Sequence, residues 1–551
     1  MAAGALARQH HLQLISALDE RSAAFVALGI ATATGRGVVV VTTSGTAVAN
    51  LLPAAVEADR STQPLLLLTA DRPKRLKECG ANQAVNQEAF LQPVCRWFGS
   101  SHLDGMQQLT LSNIQFLANQ AWHIAHGLGG SNPPGPVHLN LPMEEPLHAS
   151  LEDQRCLFGH LGHRSTGATN IIYALPDQSV GRASSLPSRL SLKLQHPGVI
   201  LAGPWRGLES RLPAFQDALC DLQVCCGWPV LADPLSAVPA DCPGRIEVWE
   251  PLLEVLPQPF DNLQILRLGP LSASRSLENW LRQQRGLQLL ISEGDTRRLD
   301  PLGCALQDGM GLANWWQQQF WDQETSANKD LLACWKTSDR RARAYLDREL
   351  PLSGPASEPA LARGLARLIP HDIPIMLAAS SPVRDWLSWS GGRRCYGFRG
   401  ASGIDGTLSL GLGLAIGHGQ TVLITGDLAL IHDSNGWLLT RPDGPHLLVI
   451  LIDNNGGGIF EQLPLTLDPI TAFESLFAMP QRVDPLALAA SHGVPHCQLT
   501  HLEDLEEALV WGLNQNGPAL LRICTDRRRD AALRHQLRHQ LIEDLSSADS
   551  E

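Results

Sequence analysis

An acid and an amide stand 27 residues apart in this chain, each closing a run of aliphatic residues. Asp427 ends "TVLITGD", and Asn454 lies in "ILIDNNGGGIF". Both runs read as buried strands, and in open α/β sheets ligands collect beyond the carboxyl ends of strands. A βαβ unit would set the two ends side by side. Asp427 then offers a carboxylate oxygen, Asn454 an amide oxygen and Gly456 a backbone carbonyl. That oxygen-only set suits Mg²⁺, with diphosphate oxygens completing an octahedron. The helix that follows Gly426 points its N-terminus at the same place, which favours an anion. Two plainer roles stay open. Asp427 alone is a good helix N-cap, and Asn454-Asn455-Gly456 alone is a good turn.

Other polar residues also follow predicted strands. They include Arg72 in "LTADRP", Asn82 and Gln83 in "CGANQA", Ser380 and Arg384 in "AASSPVRDW", and Arg399 in "RGASGIDG". The arginine fork donates two parallel bonds and so suits a carboxylate-bearing ligand. Taken singly, each arginine equally suits a surface ion pair. His535 and His539 stand four apart on a charged C-terminal helix; that spacing fits a metal or, more simply, a solvated face.

The elements that must position these groups read as three α/β blocks. The first, residues 1–150, carries "GVVVVTTSGTAVANLLPAAVEADR", "PLLLLTADRP" and "GPVHLNLPMEEPL". Residues 151–195 lose this rhythm and have a Ser/Gly/Pro-rich linker composition. A central α/β block, 196–350, contains "HPGVILAGP", "LQILRLG" and "LQLLIS". The third block, 351–530, holds the Asp427 and Asn454 strands and repeats the strand, turn, helix, strand order of the first. Residues 531–551 form a charged tail. Buried strands with helical connections imply parallel sheets. The net charge of −12 argues against a nucleic-acid surface. Twelve scattered cysteines, without a CxxC pair, fit reduced thiols in a cytoplasmic protein. No run of 18 apolar residues reads as a membrane span.

The Asp427 and Asn454 motifs, with "RGASGIDG", "TSGTAVANLLPA", "LTADRP" and "CGANQA", resemble one branch of the thiamine-diphosphate-dependent decarboxylase superfamily. That branch is the 2-succinyl-5-enolpyruvyl-6-hydroxy-3-cyclohexene-1-carboxylate synthases. The resemblance implies three doubly wound parallel-sheet domains. It also implies thiamine diphosphate and Mg²⁺ (or Mn²⁺) as cofactors. The substrates would be 2-oxoglutarate and isochorismate, and the pathway that of menaquinone or phylloquinone. Leu428 departs from the superfamily's usual glycine, as this branch does. An acetolactate-synthase-like carboligase and a non-catalytic homologue are the alternatives.

By the same resemblance Glu20 is the acid that activates the cofactor through its aminopyrimidine ring. Read without it, Glu20 decorates a helix N-terminus. Ile404 would lie under the cofactor, with Gly426 and Ile459 also lining it. Arg72, Asn82, Gln83, Arg275, Ser380, Arg384 and Arg399 would bind substrate, and Phe460 and Leu463 would form an apolar wall. Ala379 stands where the family has Asn. Glu20 would serve a site completed by a second subunit, in a homodimer or a dimer of dimers. Family members also carry a strand and a Ser-Arg loop before the catalytic Glu. Here "MAAGALARQHHLQLISALDERS" reads as the helix after that loop, entered partway. The expectation is a natural chain that starts upstream of Met1.

Overall fold

Unbroken runs of Val, Leu and Ile suit strands covered on both faces, and each such run here lies in a parallel sheet. The first sheet contains β1 (Val38–Thr42), β2 (Leu65–Asp71), β3 (Trp97–Ser100) and β4 (Pro136–Pro142), in the order β1-β2-β4-β3. The second contains β5 (Gly198–Ala202), β6 (Val230–Ala232), β7 (Arg245–Ile246), β8 (Gln264–Leu268), β9 (Gln288–Ile291) and β10 (Leu306–Asp308), ordered β10-β9-β8-β5-β6-β7. The third contains β11 (Ile375–Leu377), β12 (Tyr396–Gly397), β13 (Gln420–Gly426), β14 (His446–Asp453), β15 (His496–Leu499) and β16 (Ala519–Cys524), ordered β12-β11-β13-β14-β16-β15. Every strand pairing within the three sheets is parallel.

This computed structural model describes residues 12–101, 105–128, 132–145, 147, 150–152, 155, 192–255, 262–319, 329–398, 400–441, 443–463 and 470–547. Arg399 and most of the 151–195 linker lie outside the described residues.

The third domain packs against both others. One core joins Leu201 and Trp249 of the second domain to Ile450 and Leu521 of the third. Another joins Phe25 and Leu28 of the first to Leu410 and Val449 of the third. The Glu20–Thr34 helix crosses the Thr407–His418 helix at two glycines. A Cβ on Gly29 would strike the Leu410 carbonyl oxygen, and one on Gly413 the Val26 carbonyl oxygen. Glycine is required there for the two backbones to touch.

The structure corrects two expectations. Residues 12–19 are not helical, and the helix begins at Glu20. Asp19 caps it, its carboxylate accepting the Arg21 N–H at 2.8 Å, which favours a helix start at this point. Residues 531–547 are no separate tail. They continue the Arg527–Ser547 helix, which buries Leu537, Leu541 and Leu545 in the shared core. Leucine every four residues supplies that apolar stripe despite the many charges. His535 and His539 lie on its exposed side.

Candidate functional site: a cation and diphosphate cradle

β13 and β14 are adjacent and in register, with Gly426 opposite Ile452, so Asp427 and Asn454 emerge side by side. Both are buried, at 5% and 7% exposure. Burial, with Asp453 nearby, pushes the Asp427 carboxyl up to about 6. Its Oδ2 accepts the Gly456 N–H at 2.7 Å. Asp427 has no ion pair among the described residues. The Asn454 amide donates from Nδ2 to Glu358 Oε1 at 2.6 Å, while its Oδ1 is buried with no hydrogen-bond partner. An ionised carboxylate only accepts, so the contact with Glu358 takes the NH2 end of the amide and leaves Oδ1 facing the site. An unpartnered buried amide oxygen beside an unpaired buried carboxylate fits a hard cation.

The loop is shaped for this. Gly456 has φ +120°, and a Cβ there would run into the Ala478 carbonyl oxygen. A Cβ on Gly426, at the start of the Asp427–His432 helix, would meet nothing within 4 Å. The strand end therefore opens onto free space. The Gly456 carbonyl already accepts the Gly458 N–H at 2.9 Å, which leaves one lone pair for a cation. Among the described residues no cluster of three His, Cys, Asp or Glu could hold a metal. The cradle is instead built from one carboxylate and neutral oxygens, so it depends on anionic ligands from elsewhere.

Glu20 is half-buried, and its carboxylate has no hydrogen-bond or ion-pair partner among the described residues. Its neighbours anchor it. Asn435 donates to Asp19 at 2.8 Å, and Arg21 donates to the His432 carbonyl at 3.2 Å. These contacts tie Glu20 to the C-terminal end of the Asp427–His432 helix, not to the end where Asp427 sits.

A family model for the thiamine pyrophosphate enzyme N-terminal TPP binding domain matches residues 2–90, and one for the C-terminal TPP binding domain matches residues 379–523. A 2-succinyl-5-enolpyruvyl-6-hydroxy-3-cyclohexene-1-carboxylate synthase from Prochlorococcus marinus (strain MIT 9313) is 55% identical over 99% of this chain and 95% of its own length. The protein of that name from Parasynechococcus marenigrum (strain WH8102) is 57% identical over 98% and 95%. The chain belongs to the 2-succinyl-5-enolpyruvyl-6-hydroxy-3-cyclohexene-1-carboxylate synthase family. Thiamine diphosphate is the cofactor of this synthase family. The matches fit the synthase reading and not the acetolactate-synthase-like or non-catalytic alternatives. A solved structure described as a thiamin diphosphate-dependent enzyme from Mycobacterium smegmatis shares the fold, with a TM-score of 0.63 at 16% identity over 93% of this chain and 92% of that one.

The remaining cofactor and substrate candidates of this synthase-family chain fall into three groups. Ser380 follows β11, the neighbour of β13, so it shares the sheet edge with Asp427. It holds φ +76°, a strained conformation for serine, and its carbonyl accepts from Arg384 Nη1 at 3.0 Å. Ile459 and Phe460 follow the cation loop half-buried, with Phe460 edge-on to Phe477 at 5.5 Å and Leu463 37% exposed. Ile404 is half-buried and outside the apolar cores. Arg72, Asn82 and Gln83 form the second group, at the edge of the first sheet. Arg72 Nη2 reaches Gln83 Oε1 at 3.4 Å, Gln83 lies beside the Gly45 turn, and Asn82 is exposed. Arg275 begins the Arg275–Gln283 helix of the central domain, exposed and without a polar partner among the described residues.

Several positioning residues escaped the sequence reading. Glu358 also accepts from Arg534 at 2.7 Å, and Arg534 pairs with Asp385 at 2.5 Å. Arg527 donates to the Asn455 carbonyl at 2.6 Å and pairs with Glu461 at 2.9 Å, bracing the cation loop. Gln87 accepts the Gly45 N–H at 3.0 Å and donates to Asn140 at 2.8 Å, holding the turn beside Gln83. In that turn the Ser44 hydroxyl is buried and unpartnered. These contacts join residues 42 to 176 positions apart, and no local motif marks them.

Proposed function

We propose that this chain decarboxylates 2-oxoglutarate and adds the resulting four-carbon unit to isochorismate, giving 2-succinyl-5-enolpyruvyl-6-hydroxy-3-cyclohexene-1-carboxylate and CO2. The step serves menaquinone or phylloquinone synthesis in the cytoplasm. Among the described residues no helix is long and apolar enough to cross a membrane. The observation that carries the reading is the unpartnered Asn454 oxygen beside buried Asp427, at the ends of adjacent strands.

Asp427, Asn454 and the Gly456 carbonyl would hold Mg²⁺ (or Mn²⁺), and the open space at Gly426 would admit the diphosphate. Thiamine diphosphate, when bound, supplies a nucleophilic carbon and a sink for the electron pair released with CO2. Glu20 would exchange a proton with the aminopyrimidine ring nitrogen, a role its uncommitted carboxylate suits. Ile404 would support the cofactor from below, beside Ile459. Phe460 and Leu463 would exclude water. Arg72, Arg275, Arg384 and Arg399, with Asn82, Gln83 and Ser380, would receive the carboxylates of the two substrates. A second copy of the chain would complete the site, in a homodimer or a dimer of dimers. The tether of Glu20 to the far end of the Asp427–His432 helix supports this. So does the edge strand β1, whose Val39 and Val41 are 48% and 46% exposed.

Glu20→Gln tests the reading. It should keep thiamine diphosphate affinity and lose turnover of 2-oxoglutarate with isochorismate, followed by mass spectrometry of the adduct. Wild-type turnover in this variant would remove Glu20 from the mechanism.

A further inference from the structure

The helix Leu52–Ser61 of the first domain carries Glu57, 3% exposed and aimed across the domain boundary. Its Oε1 accepts the Gly400 N–H at 2.8 Å, and its Oε2 accepts the Ala401 N–H at 2.6 Å and the Ser402 N–H at 3.3 Å. Three consecutive amides wrapped around one carboxylate form an anion nest. The positive charge of Arg206 also favours the ionised form of Glu57. Burial pushes its carboxyl up, and the three amides oppose that shift.

The segment it grips lies between Phe398, edge-on to Phe25 at 5.7 Å, and Gly406, whose missing Cβ leaves room for the Phe25 ring. Within it Ser402 takes φ +59°, and the Ile404 carbonyl accepts the Thr407 hydroxyl at 3.2 Å. A Cβ on Gly400 would come within 2.7 Å of Glu57 Oε1, so only glycine leaves the carboxylate its place. The same helix end also reaches the central domain. Asp59 accepts from Arg297 at 2.9 Å, and the Thr62 hydroxyl donates to the Arg206 carbonyl.

We propose that Glu57 is a positioning residue: by holding the amides of Gly400, Ala401 and Ser402 it sets Ile404 at the cofactor site. The inference rests on the role given above to Ile404. It adds that a side chain of the first domain decides where that isoleucine stands. A carboxylate is the fitting group because it can take all three N–H bonds at once and adds charge to each. An alanine would remove the acceptor that holds all three N–H groups in one place.

The test compares Glu57→Ala and Glu57→Gln with the wild type by amide hydrogen exchange, calorimetric titration with thiamine diphosphate and Mg²⁺, and steady-state kinetics. Glu57→Ala should speed exchange at residues 400–402. It should weaken cofactor affinity about ten-fold, the order of one lost charge-assisted bond. Turnover should fall by roughly a hundred-fold, the order expected when a group is misplaced by about 1 Å. Glu57→Gln keeps the shape and one acceptor but sets its NH2 against at least one of the three N–H groups, so it should show the same changes to a smaller degree. Unchanged exchange at 400–402 in Glu57→Ala overturns the proposal. So does faster exchange with a lower melting temperature but wild-type affinity and turnover, which is how a plain structural brace would behave. If Glu57→Ala does not fold, Glu57→Gln decides by the same criteria. A wild type that binds no thiamine diphosphate refutes the functional reading and this inference with it. A wild type that binds it, beside a Glu57→Ala that binds equally, refutes this inference alone.

Discussion

Changing Glu358 to Gln alters one buried atom and should weaken cation binding at a residue that Glu358 only orients. Glu358 is 2% exposed and faces two donors, Asn454 Nδ2 at 2.6 Å and Arg534 Nη2 at 2.7 Å. A carboxylate satisfies both. A glutamine has one oxygen. If that oxygen meets Arg534, its NH2 faces the Asn454 NH2, and the asparagine relieves the clash by flipping. The flip turns Oδ1 inward and presents a donor to the cation. If the oxygen instead meets Asn454, the glutamine NH2 faces the guanidinium, which still has Asp385 at 2.5 Å. The guanidinium bond is the stronger attraction, so the flipped state wins a substantial share. Loss of such a ligand-orienting partner typically costs about 10–100-fold in metal affinity, or roughly 1.4–2.8 kcal/mol. The assay is calorimetric titration of thiamine diphosphate at fixed Mg²⁺, with circular dichroism to confirm folding. Asp385→Asn, which leaves Asn454 untouched, should weaken binding less. A folded Glu358→Gln protein with wild-type cofactor affinity would refute the reasoning and detach Glu358 from the site.

Three further changes probe the third domain. Asp427→Ala should abolish Mg²⁺-dependent thiamine diphosphate binding, and unchanged affinity in calorimetry would sink the cation assignment. Gly456→Ala forces a Cβ into the Ala478 carbonyl at φ +120° and should cost of order 1–3 kcal/mol in a urea melt while displacing the loop. Asp433 is fully buried, and burial raises its carboxyl to about 7 from an ordinary 3.8. The folded state then holds a proton that the unfolded state has released. Its contribution to stability is therefore present below about pH 4 and lost as pH rises through about 7. Thermal melts of Asp433→Asn from pH 5 to 8 should show a flatter pH dependence than the wild type, and parallel curves would contradict the assignment.

Strand runs and strand-end chemistry were legible in the sequence, because both are local. "LLLLTAD", "QTVLITG" and "HLLVILID" are apolar without alternation and lie in parallel strands covered on both faces, whereas "VVVVT" reads alike but leaves Val39 and Val41 exposed. The spacing of Asp427 and Asn454 was equally legible, since one crossover fixes the distance between neighbouring strand ends. The tertiary structure alone decided which amide atom of Asn454 faces the cradle. That choice depends on Glu358, 96 residues away, and on Arg534, which lies on a helix whose many charges read in the sequence as a solvated face. It also decided where the Glu20 helix starts, because the Asp19 cap outcompetes continued helix toward residue 12. Glu57 had no sequence mark at all. Its meaning comes from three backbone amides more than 340 residues away, and backbone donors carry no sequence signature. Local patterns determined the elements and the groups at their ends; long-range hydrogen bonds between buried charges determined how those groups are aimed.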